Sequence, residues 1–147
     1  MEKTLMLIKP DAVIRGHIGE IISRLEKKGL TILAMKLLKL SEEKASELYS
    51  IHKGKPFYEP TVAFMTSSPL VALVVSGPNV IQLIRKMIGA TNPLEADSGS
   101  IRGTFAVNTS RNCVHASDSS ESAQREIPVF FSAGEIQDYS VIASSWI

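Results

Sequence analysis

One histidine, His115, lies among small polar residues in the stretch NCVHASDSS, Asn112 to Ser120. An imidazole can act as a base or as a nucleophile near neutral pH. Glu126 lies about two turns into the predicted helix that follows, where its carboxylate can hold one ring nitrogen and leave the other free to react. Ser117 lies on the same side if the strand pattern continues, so its hydroxyl can help to orient the ring. The residues therefore predict a histidine nucleophile at the edge of a cleft.

Short apolar segments predict the strands that position this histidine. KTLMLIK, Lys3 to Lys9, is stopped by Pro10 and predicts a buried strand with Lys9 emerging at the end of the sheet. TILAMKLLKL predicts a second strand, and LVALVVS, Leu70 to Ser76, predicts a central strand covered on both faces. A short fourth strand is predicted around Cys113 to His115.

Helical patterns recur between and after these strands. HIGEIISRLEKKG and NVIQLIRKMIG each repeat apolar residues on one face and end at a glycine. Ser41, followed by two glutamates, predicts the start of a helix through ASELYSIH. Asp118, with Glu121 three residues later, predicts the start of the last helix, and Pro128 predicts that this helix bends or ends just after Glu126.

The segment from Gly89 to Asn112 lacks periodicity and is rich in turn-forming residues, so it predicts a long loop of the kind that is usually functional or disordered. The order of elements predicts an α/β (α+β) fold of the ferredoxin-like βαββαβ type, with a four-stranded antiparallel sheet and helices packed on it. A doubly wound parallel sheet is the alternative, and so few strands disfavour it. A length of 147 residues, 44% of them hydrophobic, predicts a single domain over 1–147.

Composition and missing motifs exclude several classes of function. A formal net charge of +1 gives no field that favours nucleic acid or a membrane surface, and the absence of signal-length or membrane-spanning apolar runs predicts a cytoplasmic protein. The single cysteine excludes an internal disulfide framework, and the three histidines match no zinc-ligand spacing. No P-loop, G-x-G-x-x-G turn or G-x-S-x-G elbow is present, so any bound phosphate must be held by side chains.

Four segments together resemble one family. NCVHASDS is similar to the active-site signature of nucleoside diphosphate kinases, and LMLIKPD, GATNP and GSIRG resemble other segments of that family in the same order and at similar spacing. The resemblance extends from about Thr4 to Trp146. It implies transfer of the γ-phosphate of a nucleoside triphosphate to a nucleoside diphosphate, by a ping-pong mechanism through phosphohistidine at His115 and with broad base specificity.

The resemblance also implies a role for each matching side chain. His115 matches the nucleophile, and Glu126 and Ser117 match the residues that orient it. Lys9 and Asn112 match the pair that contacts the sugar 3′-hydroxyl and the phosphates. Tyr49 matches a tyrosine beside the transferred group, and Phe57 matches the aromatic platform for the base. The residues that match the clamp on the phosphates are Arg85, Thr91 and Arg102.

These residue types suit phosphoryl transfer, because cations and hydroxyl groups stabilise the charge on the phosphate oxygens. Mg²⁺ is expected to arrive with the nucleotide phosphates, with no metal ligand from the protein. The resemblance further implies a homo-oligomer, either a hexamer or a tetramer, while the near-zero net charge predicts no nucleic-acid or membrane partner. Thr109 stands where the family often has an apolar residue beside the base, which alters one wall of the base site.

Two other classes of function remain open. A non-enzymatic nucleotide or nucleic-acid binding module would use the same sheet without turnover. A phosphocarrier would accept phosphate on His115 from a protein partner, but it would need no site for a base and a triphosphate.

Overall fold

The computed structural model describes residues 1–147, and its centre is one sheet of four strands. The strands are β1 (Lys3–Ile8), β2 (Thr31–Leu38), β3 (Leu70–Ser76) and β4 (Val114–Ala116). They lie in the order β2-β3-β1-β4, and every neighbouring pair is antiparallel. The predicted four-stranded antiparallel sheet is therefore confirmed, and the parallel alternative is excluded.

Seven α-helices surround the sheet: α1 (Pro10–Ile14), α2 (Ile18–Lys27), α3 (Glu42–Leu48), α4 (Tyr58–Met65), α5 (Val80–Ile88), α6 (Ile101–Phe105) and α7 (Ser120–Phe130). Short 3-10 helices lie at Ser50–His52, between α3 and α4, and at Ala133–Glu135 and Ile142–Ser145, after α7. None of the helices combines the length and the apolar character needed to cross a bilayer.

The sheet separates two hydrophobic cores because successive strand residues face opposite sides. Met6 and Ile8 of β1 pack in one core with buried residues of α2 and α5. Leu5 and Leu7 pack in the other core with buried residues of α3, α4 and α7. All seven residues of β3 are buried, as predicted for a central strand covered on both faces. Side chains thus pack against both faces of the central strands β1 and β3, and this packing positions the strand ends from which the site is built.

The start of α7 differs from the prediction by one residue. Ser119 is the N-cap, and its hydroxyl accepts a hydrogen bond from the backbone N–H of Ser122 at 3.1 Å. Asp118 instead lies outside the helix, where its carboxylate accepts a hydrogen bond from the Ser122 hydroxyl at 2.6 Å. Ser and Asp are both good N-caps, so the sequence pattern alone did not separate the two positions.

The prediction that α7 ends just after Glu126 at Pro128 was wrong. The helix continues to Phe130, and the backbone N–H of Phe131 still donates to the carbonyl of Ile127 at 3.0 Å. Pro128 is exposed and lies in the last turn, so its missing N–H removes a single intrahelical bond close to the helix end.

Two helices were not predicted. The five-residue helix α6 lies inside the segment predicted as a loop, and its N-cap Ser100 accepts a hydrogen bond from the Gly103 N–H at 3.1 Å. Five residues are too few to show a helical period. Helix α4 contains Pro60 in its first turn, where a backbone N–H has no partner within the helix. The proline is therefore tolerated there.

Candidate active site

The end of β1, the edge strand β4 and the first half of α7 bring the reactive side chains together. His115 is the central residue of β4 and pairs with Leu7 of β1. Lys9 follows β1 directly and acts as the N-cap residue of α1. Glu126 lies on the buried side of α7. These three predicted site residues thus come from β1, β4 and α7, and both β4 and α7 contact β1.

One carboxylate oxygen of Glu126 holds the ring of His115, and the Ser117 hydroxyl binds the same oxygen. The Nε2 atom of His115 lies 2.9 Å from Oε1 of Glu126, and the Ser117 hydroxyl donates to the same oxygen at 2.8 Å. Because an ionised carboxylate only accepts hydrogen bonds, Nε2 must carry the hydrogen. Nδ1 then keeps its lone pair. The arrangement provides a nucleophilic nitrogen in a defined tautomer.

The charge state of Glu126 supports this assignment. Burial on its own would raise the pKa of this carboxyl, since the side chain is only 7% exposed. The hydrogen bonds from His115 and Ser117, together with the nearby charge of Arg125, outweigh burial and lower the pKa. Glu126 is therefore ionised at neutral pH and can accept the hydrogen bond from Nε2.

A cavity of about 140 Å³ opens beside the imidazole. His115, Glu126, Tyr49 and Arg85 all line it. The rings of Tyr49 and His115 meet edge to face, with centroids 6.4 Å apart. Burial raises the pKa of the Tyr49 phenol, and the negative charge of Glu126 adds to this effect. Tyr49 therefore stays neutral and is able to donate a hydrogen bond to an anion in the cavity.

Lys9 and Asn112 form a second part of the site. The Lys9 ammonium donates to Oδ1 of Asn112 at 2.5 Å, and Nδ2 of Asn112 donates to the carbonyl of Thr91 at 3.0 Å. Burial lowers the pKa of Lys9 to about 8, although the negative charge of Asp11 opposes this effect. These contacts place Lys9, Asn112 and the backbone of Thr91 in one hydrogen-bonded chain.

Two arginines contact the free edge of β4 on either side of His115. Arg102 donates through Nη2 to the carbonyl of Val114 at 2.8 Å, and Arg85 donates through Nη1 to the carbonyl of Ala116 at 3.2 Å. Arg85 is exposed, whereas Arg102 is buried. Both guanidinium groups are thus anchored beside His115.

Arg102 also joins the surrounding loops. Its Nε donates to the carbonyl of Asn112 at 3.3 Å, and its Nη1 donates to the carbonyl of Gly89 at 3.0 Å. Burial and the positive charge of Arg85 lower the pKa of Arg102 to about 10, so it remains charged at neutral pH. Three of the five guanidinium hydrogens are therefore used within the protein, and Arg102 is not among the residues that line the cavity beside His115.

Phe57 is not brought into the cavity. Half of its side chain is exposed, and its ring lies 5.2 Å from the ring of His52, which does line the cavity. The side chain of Lys55 lies over the same ring, 5.8 Å from its centroid. Phe57 therefore lies next to a cavity-lining residue, on the surface. Thr109 is exposed in the segment before β4.

Sequence reasoning missed four polar residues that line the cavity: His52, Asp118, Ser122 and Arg125. The spacing between Tyr49 and His52 could have predicted His52 as a site residue, because residues three positions apart lie on the same side of a helical turn. Arg125 donates to Oε2 of Glu126 and to the carbonyl of Leu48, each at 3.4 Å. That second contact joins α7 to the end of α3, which no local pattern predicts.

Comparison with known proteins decides the family. The family profile described as nucleoside diphosphate kinase matches residues 2–136. The chain belongs to this family. A nucleoside diphosphate kinase of Pelotomaculum thermopropionicum is 50% identical over 147 residues, which cover 100% of this chain and 99% of that protein. One of Staphylothermus marinus is 55% identical over 138 residues, or 94% of this chain and 98% of the relative.

Solved structures of nucleoside diphosphate kinases agree with this assignment. The enzyme of Halobacterium salinarum in complex with CDP superimposes with a TM-score of 0.96 at 39% identity, over 99% of this chain and 97% of that chain. The enzyme of Aquifex aeolicus gives a TM-score of 0.90 at 43% identity, over 92% and 98% of the two chains. As a member of the nucleoside diphosphate kinase family, the protein is a phosphotransferase that acts on nucleoside diphosphates.

Proposed function

We propose that the protein moves the γ-phosphoryl group of a nucleoside triphosphate to a nucleoside diphosphate through a phosphohistidine at His115. The contact between Nε2 of His115 and Glu126 carries this proposal, because it leaves Nδ1 with a free lone pair at a cavity also lined by Arg85. A covalent intermediate divides one difficult transfer into two easier ones at a single site.

Each half of the reaction makes and breaks one bond. In the first half, Nδ1 of His115 forms a bond to the γ-phosphorus, and the bond from that phosphorus to the bridging oxygen breaks. The diphosphate leaves with the electron pair on this oxygen. Positive charge develops on the imidazole, and the Glu126 carboxylate stabilises it through the hydrogen on Nε2. A second nucleoside diphosphate then takes the phosphoryl group by the reverse path.

The remaining site residues hold the substrate in line with Nδ1. Arg85 and Arg102 contact phosphate oxygens, and the hydroxyl of Thr91 contributes to the same clamp. Lys9 and Asn112 bind the sugar 3′-hydroxyl and the phosphates, while the neutral Tyr49 phenol donates beside the transferred group. Positioned positive charge is the main source of catalysis in phosphoryl transfer.

Mg²⁺ enters as part of the nucleotide substrate in this proposal. No group of three or more His, Cys, Asp and Glu side chains lies close enough together to hold a metal ion. Mg²⁺ usually keeps several waters and is bound through substrate phosphates and one or two carboxylates, so a dedicated cage of protein ligands is not needed, and when bound it would neutralise charge on the phosphate oxygens. The protein's own contribution is the set of cations around that charge.

We also propose that the protein is a homo-oligomer, either a hexamer or a tetramer. Strand β2 forms an edge of the sheet, so one side of it has no strand partner. Met35 and Leu37 of this strand are 57% and 63% exposed. An exposed apolar edge strand is a surface that a second copy of the chain can cover.

We expect little discrimination among bases. Stacking on Phe57 offers contact to any base and no hydrogen-bond code. The kcat/KM values for GDP and ADP should therefore differ by less than about a hundredfold, which corresponds to roughly 2.7 kcal/mol. A larger ratio would require a residue that recognises the base through hydrogen bonds, and would contradict recognition by stacking alone. Steady-state kinetics with a common phosphate donor provides the measurement.

A coupled assay tests the proposed function. The protein is mixed with Mg²⁺, ATP and GDP, and formation of GTP is followed. Sustained turnover supports the phosphotransferase. A binding module produces no GTP, and a phosphocarrier produces none without its protein partner, so either result would replace the proposal.

A further inference from the structure

The backbone before β4 is strained at Cys113. This residue has a φ angle of 72°, and the N–H of Val114 donates to the carbonyl of Asn112 at 2.8 Å. A hydrogen bond between residues two positions apart, around a residue with this φ, defines a γ-turn of the rarer and less favourable hand. Such a conformation costs about 1–3 kcal/mol for a residue other than glycine, and it persists only where its surroundings enforce it.

Two residues that follow β1, Lys9 and Asp11, form hydrogen bonds with the backbone N–H and carbonyl of Cys113. Its N–H donates to Oδ2 of Asp11 at 3.0 Å, and its carbonyl accepts from the backbone N–H of Lys9 at 2.8 Å. Asp11 lies in the first turn of α1 and is only 8% exposed. Its other oxygen, Oδ1, is buried without a hydrogen-bond partner. A buried carboxylate with one unpartnered oxygen is costly, which argues for a role beyond stability.

The turn lies between the two parts of the site. Asn112, on one side of it, accepts the hydrogen bond from the Lys9 ammonium. On the other side, β4 begins at Val114 and carries His115. The direction in which β4 leaves the turn therefore sets the position of His115 relative to Lys9.

We propose that Asp11 is a positioning residue for phosphoryl transfer, whose carboxylate holds the strained turn at Cys113 and thereby fixes Asn112 and His115 relative to Lys9. This inference rests on the function proposed above. Asp11 acts through the turn and touches neither the substrate nor the reacting nitrogen.

The charge of Asp11 gives the residue a second, separable effect. Burial lowers the pKa of Lys9, and the negative charge of Asp11 is the largest influence that raises it. The other titratable groups that act on Lys9 come from α6 and from the segment before β4: Arg102, Arg111 and Cys113. An asparagine at position 11 still offers an acceptor to the Cys113 N–H but carries no charge. It therefore separates the hydrogen bond from the charge.

The single cysteine allows the turn to be tested without any assay of activity. Cys113 is fully buried, so a thiol reagent reacts with the native protein only when the turn opens. We expect Asp11→Ala to raise the rate of thiol modification at least about tenfold above that of Asp11→Asn, because both substitutions remove the charge that, in addition to burial, raises the pKa of the Cys113 thiol but only alanine removes the acceptor that holds the turn. Asp11→Asn should keep the protection. Thr4→Val is the matched control: the Thr4 hydroxyl on β1 is also buried and unpartnered but lies away from the turn, so modification should not change.

Kinetics distinguishes positioning from a merely structural role. Asp11→Ala should slow phosphorylation of His115 about ten- to a hundredfold, since small displacements of a nucleophile are costly. Asp11→Asn should keep kcat. Its KM should begin to rise at a pH about half a unit or more below that of the wild type, because Lys9 then loses its proton at a lower pH. Thr4→Val should leave both parameters unchanged.

Two results would overturn the inference. One is an Asp11→Ala protein that folds and yet keeps thiol modification and His115 phosphorylation within about twofold of wild type. If that variant does not fold, Asp11→Ser, whose side chain is shorter than that of aspartate, takes its place, and the same two unchanged rates are equally decisive. Failure of the proposed function is seen separately, because the wild-type protein would then never be phosphorylated, whereas thiol modification would still report on the turn.

Discussion

Replacing His115 with alanine is expected to abolish phosphoryl transfer while nucleotide binding survives. The substitution removes Nδ1, the nitrogen left unprotonated by the contact of Nε2 with Glu126. Lys9, Arg85 and Arg102 remain in place, because their hydrogen bonds to Asn112 and to the carbonyls flanking His115 do not use the imidazole. Turnover is measured by GTP formation, and binding by titration calorimetry with a diphosphate.

His52 supplies the matched control for this substitution. It is a second histidine that lines the same cavity, but it makes no contact with Glu126 and instead lies 3.2 Å from the Lys55 amine. His52→Ala should weaken nucleotide binding and still allow His115 to be phosphorylated. Turnover of His115→Ala within about tenfold of wild type would contradict the assignment of the nucleophile.

Replacing Glu126 with alanine should slow phosphorylation of His115 by roughly ten- to a thousandfold without preventing it. The carboxylate fixes the tautomer and stabilises the charge that develops on the ring, but it does not form the new bond. Glu126→Gln keeps a side chain of similar size and presents an amide oxygen to Nε2. It should therefore slow phosphorylation less than alanine does. Rapid-quench measurement of phosphohistidine formation gives the rates. An unchanged rate for Glu126→Ala would show that the contact has no part in the reaction.

Strong periodic patterns allowed the sheet and the main helices to be predicted. LVALVVS is apolar on both faces, and β3 is indeed buried throughout. The errors lie where one local signal was ambiguous or was overridden. Asp118 and Ser119 are adjacent N-cap candidates, and Pro128 is tolerated because the helix ends soon after it. The short helix α6 has no periodic signal of its own.

The contact between His115 and Glu126 was predictable from the sequence, but its geometry was not. The pattern around His115 and Glu126 predicted that a carboxylate holds the ring, yet only the fold shows that Nε2 is the nitrogen held. Contacts across the chain leave no local pattern: Asp11 and Cys113 are 102 positions apart, and Lys9 and Asn112 are 103 apart. Such pairs depend on the pairing of β1 with β4.

Trapping of the covalent intermediate tests the central claim most directly. The protein is incubated with Mg²⁺ and γ-labelled ATP without an acceptor, and label on the protein is measured. We predict near-stoichiometric label on His115 that is stable in alkali and lost in acid, as expected for a phosphoramidate. Adding GDP should then move the label to GTP. If no labelled protein forms and transfer requires both nucleotides bound together, the phosphohistidine mechanism is contradicted and His115 is not the nucleophile.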